Sequence, residues 1–578
     1  MLKKTVLIII LSFLSLVATG STVVRLPADK LDAPLLFGSR VVDVNRPWGK
    51  VFAPGQRNPD PVLMRFRIDK SGKKIVMTPE ESHQTCSRGR RRYIKPVQFP
   101  LVGKASDGAY LIDVSRYFRE YPVQVSAVPP KMLESDPLVS GEILSAATTD
   151  RYLQVKGRYR YSSGLEVTAA CYILFLPEKP MPAGKVEGYN VVNGHSQRWD
   201  LSRRPHIDFY VDRSFPEGWY PYIKEGLEDW NRAFEKIGLG KVITVHPEPS
   251  DGSLDRTSPL VNMVRYMDVD EANAKGDVLT DPRSGEILQG DILWWKDVLK
   301  LITGWRYVQT GAADPSARLK EYPMEILGPM IRHSVCHEMG HVLGLNHNMG
   351  ASWSYPTKSL RSPSFTQRYG TAASVMDYAR YNHIATAEDV DKGVSLLPPR
   401  IGPYDYYAIA LGYSDKKPVK GEYCYYAPFY SAAISPDPSS QAESLGNDLI
   451  ASSAAGLRNC RALLKLDGLD DERLDLLRKQ YYRYIWLALS NIGGVTGGIP
   501  VPWKEQKRTL SFVMENLAAV PPELADPVQE RRILNELEGN FLPKRVSDNL
   551  GPKALEKYNT RVAGLKKKYN LNNKQSVL

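Results

Sequence analysis

His337-Glu338-Met339-Gly340-His341-Val342-Leu343-Gly344-Leu345-Asn346-His347 fills every specified position of the pattern HExxHxxGxxH. On a helix, His337 and His341 are four residues apart, so they share a face one turn apart. Two imidazoles so placed can reach one metal ion, and Glu338 beside them can hold a water bound to that ion. A straight helix cannot bring His347 to the same ion. Gly344 is where the chain can leave the helix, because glycine takes a left-handed C-cap conformation at little cost. The chain then turns back and offers His347 as a third ligand. Three protein ligands leave a fourth position open, which is the arrangement of a catalytic Zn²⁺ rather than a structural one.

Downstream stands Ser374-Val375-Met376-Asp377-Tyr378, where a Met-turn is expected after such a motif. With these two stretches the chain resembles the metzincin metallopeptidases, and the S-x-M-x-Y form of the turn resembles astacins and serralysins. The resemblance implies that Met376 forms a floor beneath the zinc. It also implies that Tyr378 acts as an extra, swinging ligand that steadies the tetrahedral intermediate. Over more of its length the chain is similar to large secreted bacterial zinc metalloproteases of the EcxA-like group. Asp281-Pro282-Arg283-Ser284-Gly285-Glu286-Ile287, Leu360-Arg361-Ser362-Pro363-Ser364-Phe365 and Arg400-Ile401-Gly402-Pro403-Tyr404-Asp405 carry that similarity. Asn348 follows the third histidine where astacins carry a glutamate, so their activation scheme does not carry over. Calcium repeats of the serralysin kind are not evident.

The expected fold class is α+β. A metzincin catalytic domain, a twisted mixed sheet plus the zinc helix, is flanked by a β-rich N-terminal domain and a mainly helical C-terminal domain. A length of 578 residues suits two to four domains. The expected boundaries are 1–20 for a signal peptide, then 21–203, 204–413 and 414–578. The basic start Met1-Leu2-Lys3-Lys4, the apolar run from Thr5 to Val17 and the small residues Ala18-Thr19-Gly20 have the pattern of a secretory signal. The expected location is therefore periplasmic or secreted, with no integral membrane segment in the mature chain.

A net charge of +12 could favour acidic partners, but its local runs, Arg88-Gly89-Arg90-Arg91-Arg92 and Lys566-Lys567-Lys568, are short and read as solvated loops. No nucleic-acid motif accompanies them. The five cysteines are Cys86, Cys171, Cys336, Cys424 and Cys460. Export permits disulfides, although the pairs cannot be assigned from sequence. Cys336 precedes His337 by one residue, about 100° round the helix, and reads as a small buried residue.

Along the chain, Tyr93–Val102 with Ala109–Val114, and Tyr152–Tyr161 with Leu165–Leu176, read as hairpins around Ser106-Asp107-Gly108 and Ser162-Ser163-Gly164. His83 and His195 stand isolated. Ile207, Phe209 and Val211 alternate as a strand does. Tyr220–Ile237 has helical spacing and stops at Gly238, and Val242–Val245 and Met263–Met267 read as strands. By the resemblance, Glu286–Trp295 is expected to be the edge strand above the zinc. The zinc helix is expected over Tyr322–Leu345, with His333 as a supporting or packing residue, and a closing helix over Tyr404–Leu411. His383 has no assignment. From about Ser414 the chain reads as mainly helical, with Asp470-Asp471 opening one helix and Gly493-Gly494 ending it.

The expected activity is that of a zinc-dependent endopeptidase acting on polypeptide. His337, His341 and His347 hold Zn²⁺, Glu338 is the general base and Tyr378 stabilises the oxyanion. The alternatives are an adhesion module with a structural zinc, and a zinc hydrolase of non-protein amides. The intact Glu338 argues against the first.

Overall fold

The computed structural model describes residues 21–46, 53–57, 61–80, 96–120, 136–429, 437–466, 468–492, 501–539 and 541–569. The expected signal peptide, His83, Cys86, residues 88–95 and the glycine pair at 493–494 lie outside the described residues.

The N-terminal part is a nine-stranded antiparallel sheet. Its strands are β1 (Val23–Leu26), β2 (Leu35–Val44), β3 (Val62–Ile68), β4 (Lys74–Pro79), β5 (Val97–Lys104), β6 (Tyr110–Asp113), β7 (Leu138–Thr148), β8 (Tyr152–Tyr161) and β9 (Glu166–Phe175). Their order is β1-β6-β5-β4-β3-β2-β9-β8-β7. Both expected hairpins are present, β5–β6 and β8–β9, each turning at a glycine with positive φ (Gly108, +87°; Gly164, +78°). The short pair β10 (Val191–Val192) and β11 (His195–Ser196) follows.

The second sheet is built from β12 (Ile207–Val211), β13 (Ile243–Pro247), β14 (Asn262–Met267), β15 (Ala274–Thr280) and β16 (Ile287–Trp295). Its order is β13-β12-β14-β16-β15, with β15 alone antiparallel. The Glu286–Trp295 run is therefore not the edge strand. All nine residues of β16 are buried, and a strand covered on both faces reads as a continuous apolar run. The edge is β15, whose Lys275 and Asp277 interrupt any apolar alternation.

The expected helix over Tyr220–Ile237 is two, Tyr220–Glu228 and Asn231–Lys236, broken at Asp229-Trp230. Ile223, Leu227, Trp230 and Phe234 are nonetheless buried together. The histidine helix runs Met324–Val342, with Pro323 as its N-cap and Pro329 inside it. It packs on β15 and β16 and against helix Tyr220–Glu228.

The described residues of 414–448 hold no helix, contrary to the expectation of helix from Ser414. Helices begin at Leu449–Leu463, where Asp448 accepts from the Ile450 and Ala451 amides, and continue through Asp471–Ser490, capped by Asp470. Trp503–Ala518, Pro527–Glu538, Phe541–Leu550 and Pro552–Lys568 complete the group. These helices share their core with Tyr307 and Val308 of helix Val298–Thr310, so the helical part is continuous with the region that carries the histidines. Among the described residues no helix is long and apolar enough to cross a membrane.

Candidate metal centre and active site

The last turn of the histidine helix presents His337 and His341 on one face, as their spacing requires. At its end the φ of Gly344 is +94°, and a Cβ there would collide with the carbonyl of Gln197. Both facts demand glycine. The end of the helix is also fully satisfied. Trp199 Nε1 donates to the Val342 carbonyl at 2.8 Å, the Tyr413 hydroxyl to Leu343 at 2.8 Å, and the Asn190 amide to Gly344 at 2.8 Å. The returning loop bridges to Tyr189 through Leu345, and Asn346 N–H donates to the Gly188 carbonyl. Residues 188–199 thus hold the loop that delivers His347.

The three histidines bring one ring nitrogen each within 4.8 Å of one another. His341 Nε2 and His347 Nε2 are 3.1 Å apart. His337 Nδ1 faces the Val375 carbonyl at 2.7 Å and His341 Nδ1 faces the Leu345 carbonyl at 2.9 Å. Those contacts place the protons on Nδ1 and leave Nε2 as the metal-facing atom. Burial, reinforced by the neighbouring rings, depresses the pKa of His337 well below its usual value, and burial lowers His341 to about 4. The imidazoles are therefore neutral, the state that binds a cation. An all-imidazole donor set with three convergent nitrogens fits Zn²⁺.

The turn at Ser374–Tyr378 is held from below by Asp405. Its carboxylate accepts from Ser374 Oγ (2.5 Å), Val375 N–H (2.8 Å) and Gly402 N–H (2.8 Å). Since the Val375 carbonyl holds His337, Asp405 positions a candidate ligand at one remove. Met376 lies against the histidine helix at Gly340, where any Cβ would strike its sulfur. Asn348 is fully buried. Its N–H donates to the Met376 carbonyl, its Nδ2 to the Tyr425 carbonyl, and its Oδ1 accepts from Gly350 and Ala427. The residue that departs from astacins thus ties the His347 loop to the turn.

Glu338 is half-buried, and Gly276 N–H on β15 donates to its Oε2 at 2.7 Å. Burial pushes its pKa up to about 7, against the downward pull of that amide, Arg380 and Lys275. The Tyr378 ring packs on His337 (centroids 5.5 Å) and His347 (4.5 Å). Arg380 follows with φ +60°, its guanidinium 3.4 Å from the centre of the Trp305 ring and 4.3 Å from that of Tyr378.

His333 is not in the cluster. Its Nδ1 faces the Pro399 carbonyl at 2.7 Å. His383 packs on Tyr484 and meets Ser452 Oγ at 3.0 Å, which makes it a core residue between the turn and the C-terminal helices. Cys336, Cys424 and Cys460 are buried thiols. Asp405, Asn348 and Arg380 were missed as site residues. In the sequence Asn348 stands out only as the departure from astacins and Asp405 only within Arg400–Asp405; the closeness of Arg380 to Tyr378 is the remaining local signal, because most of their partners lie far along the chain.

No curated protein and no solved structure matches the chain. The family model described as Met-zincin matches residues 319–563. With the three-histidine cluster, that match is consistent with zinc and supports a zinc metallopeptidase. It spans the histidine helix, the turn at Met376 and most of the helical core behind them, so this mixed α+β chain carries a Met-zincin domain.

Proposed function

We propose that the protein is an exported zinc-dependent endopeptidase with Glu338 as general base. The observation that carries this reading is the placement of Glu338, beside the three histidines and hydrogen-bonded to an edge strand. His337, His341 and His347 hold the ion, which when bound supplies Lewis acidity toward water and a substrate carbonyl. Glu338 takes the proton of the attacking water and later delivers it to the leaving amine. The Tyr378 hydroxyl donates to the oxygen on which charge develops. Among the described residues no other strand pairs with the outer side of β15, so a polypeptide can add there as a further strand. The basic and apolar pattern of 1–20 supports export.

The test is cleavage of an unfolded protein by the purified chain, with a chelator and Glu338→Ala as controls. Fragments should appear with the wild type and vanish in both controls, while the variant keeps its zinc. Full turnover by Glu338→Ala would remove Glu338 as the base. Absence of cleavage by zinc-loaded wild type would count against the endopeptidase reading.

A further inference from the structure

The wall of the site holds a buried cation whose opposite charges, Glu443 and Asp377, act on it without forming an ion pair. Arg380 lines a cavity of about 170 Å³ together with His337, Glu338 and Tyr378. Val298, Leu301, Ile302 and Trp305 of one helix form its apolar side. The guanidinium is clamped between the Trp305 and Tyr378 rings, so its direction is fixed. Its Nε is buried without a hydrogen-bond partner, and among the described residues no carboxylate lies within 4.0 Å of it. Of the nearby acids, Asp377 accepts from the Ser352 amide through Oδ2 at 2.6 Å while its Oδ1 is buried without a hydrogen-bond partner, and Glu443 lies 3.8 Å from Arg483. His333, also on the wall, is turned to the Pro399 carbonyl. Glu338 is the one acid that lines the cavity, and the proposed mechanism requires it for the water.

A buried guanidinium without an ion-pair partner is costly unless an anion completes it, and its planar fork matches a carboxylate better than any neutral group. The backbone around Arg380 is itself in the left-handed region, which non-glycine residues seldom adopt and which tends to persist at functional sites. We propose that Arg380 is a specificity-determining residue that receives a substrate carboxylate on the residue flanking the scissile bond. The inference rests on the peptidase reading above. The carboxylate has two possible sources, an acidic side chain inside a polypeptide or the free end of the chain.

The experiment compares quenched peptides that differ only at the residue flanking the cleaved bond, Glu against Gln and Asp against Asn, with amidated and with free C-termini. Wild type should cleave the acidic peptide at least ten-fold better in kcat/KM. Preference that survives amidation identifies a side chain; preference that requires the free end identifies a terminus. Arg380→Gln should retain zinc and erase the discrimination, read as the ratio of kcat/KM for the acidic and neutral peptides within the variant. Arg380→Lys should restore part of the discrimination, since it keeps the charge without the fork. Equal cleavage of Glu and Gln peptides by wild type would overturn the proposal. So would an undiminished preference in Arg380→Gln. If wild type cleaves none of them, the peptidase reading is at fault. Binding of the same labelled peptides to Glu338→Ala then decides the role of Arg380, with equal Kd for Glu and Gln peptides overturning it.

Discussion

Tyr378 lies with its ring on two of the three histidines, and its hydroxyl is pushed up to about 12 by burial, so it stays protonated through the neutral range. A protonated phenol can donate to an oxyanion and has little to offer a ground-state carbonyl. Tyr378→Phe should therefore lower kcat by about 10²-fold and leave KM within about two-fold. An unchanged kcat, measured on the best peptide substrate, would take Tyr378 out of the mechanism. At this scale the sequence was most informative where chemistry is local. The three histidines, Glu338 and Gly344 fall within eleven consecutive residues, and their spacing alone dictates a shared face and a turn back. Arg380 and Asn348 were opaque because their roles depend on Trp305, Tyr425 and Ala427, which no short pattern connects to them.

Among the elements, the histidine helix was readable and the edge strand was not. A helix that buries one stripe leaves a period, whereas β15 carries Ala274, Lys275, Gly276 and Asp277 where alternation would be sought. Its identity comes from a close approach: a Cβ on Gly276 would meet the Glu338 carbonyl oxygen and the His341 side chain. Only glycine lets the strand lie that near the helix and lets its amide reach Glu338. Gly276→Ala should push strand and helix apart, cost about 1–3 kcal/mol of stability and lower kcat/KM at least ten-fold. Thermal unfolding and steady-state kinetics check both parts. An unchanged kcat/KM would show that the strand does not set the position of Glu338. The apolar run of β16 suggested a strand correctly but not its neighbours, because burial on both faces makes an inner strand, and pairing partners are a long-range property.

In the whole molecule, the two sheets are joined by buried ion pairs. Arg40 meets Asp291 at 2.6 Å with both side chains 1% exposed, and Arg57 meets Asp277 at 2.8 Å while also reaching Gln289. Burial alone would raise the pKa of Asp277, but Arg57 and then Lys275 more than reverse this and hold it well below the usual carboxylate range. A depressed folded pKa means stability that is present above the unfolded value of about 3.9 and is lost as pH falls below it. The midpoint of thermal unfolding should thus drop below about pH 4. Arg57→Ala should cost about 3 kcal/mol at neutral pH, because it strands Asp277, and should flatten that acid slope. A variant with wild-type stability and slope would mean that the pair does not couple the sheets. The hairpins β5–β6 and β8–β9 of the first sheet were legible from their turn residues, whereas the hairpins β3–β4 and β7–β8, the placement of β2 beside β9, and that of either beside the second sheet were not.

The grip of residues 188–199 on the His347 loop has a consequence for timing. Asn190 reaches the Leu345 carbonyl across 155 positions of chain. Contacts of such separation form late, since the loop between them must first be closed. Until those contacts form, nothing holds His347 beside His337 and His341. The three-histidine cluster is thus assembled only when the early and middle parts of the polypeptide have met, and the proposed hydrolytic activity would be switched on by folding itself.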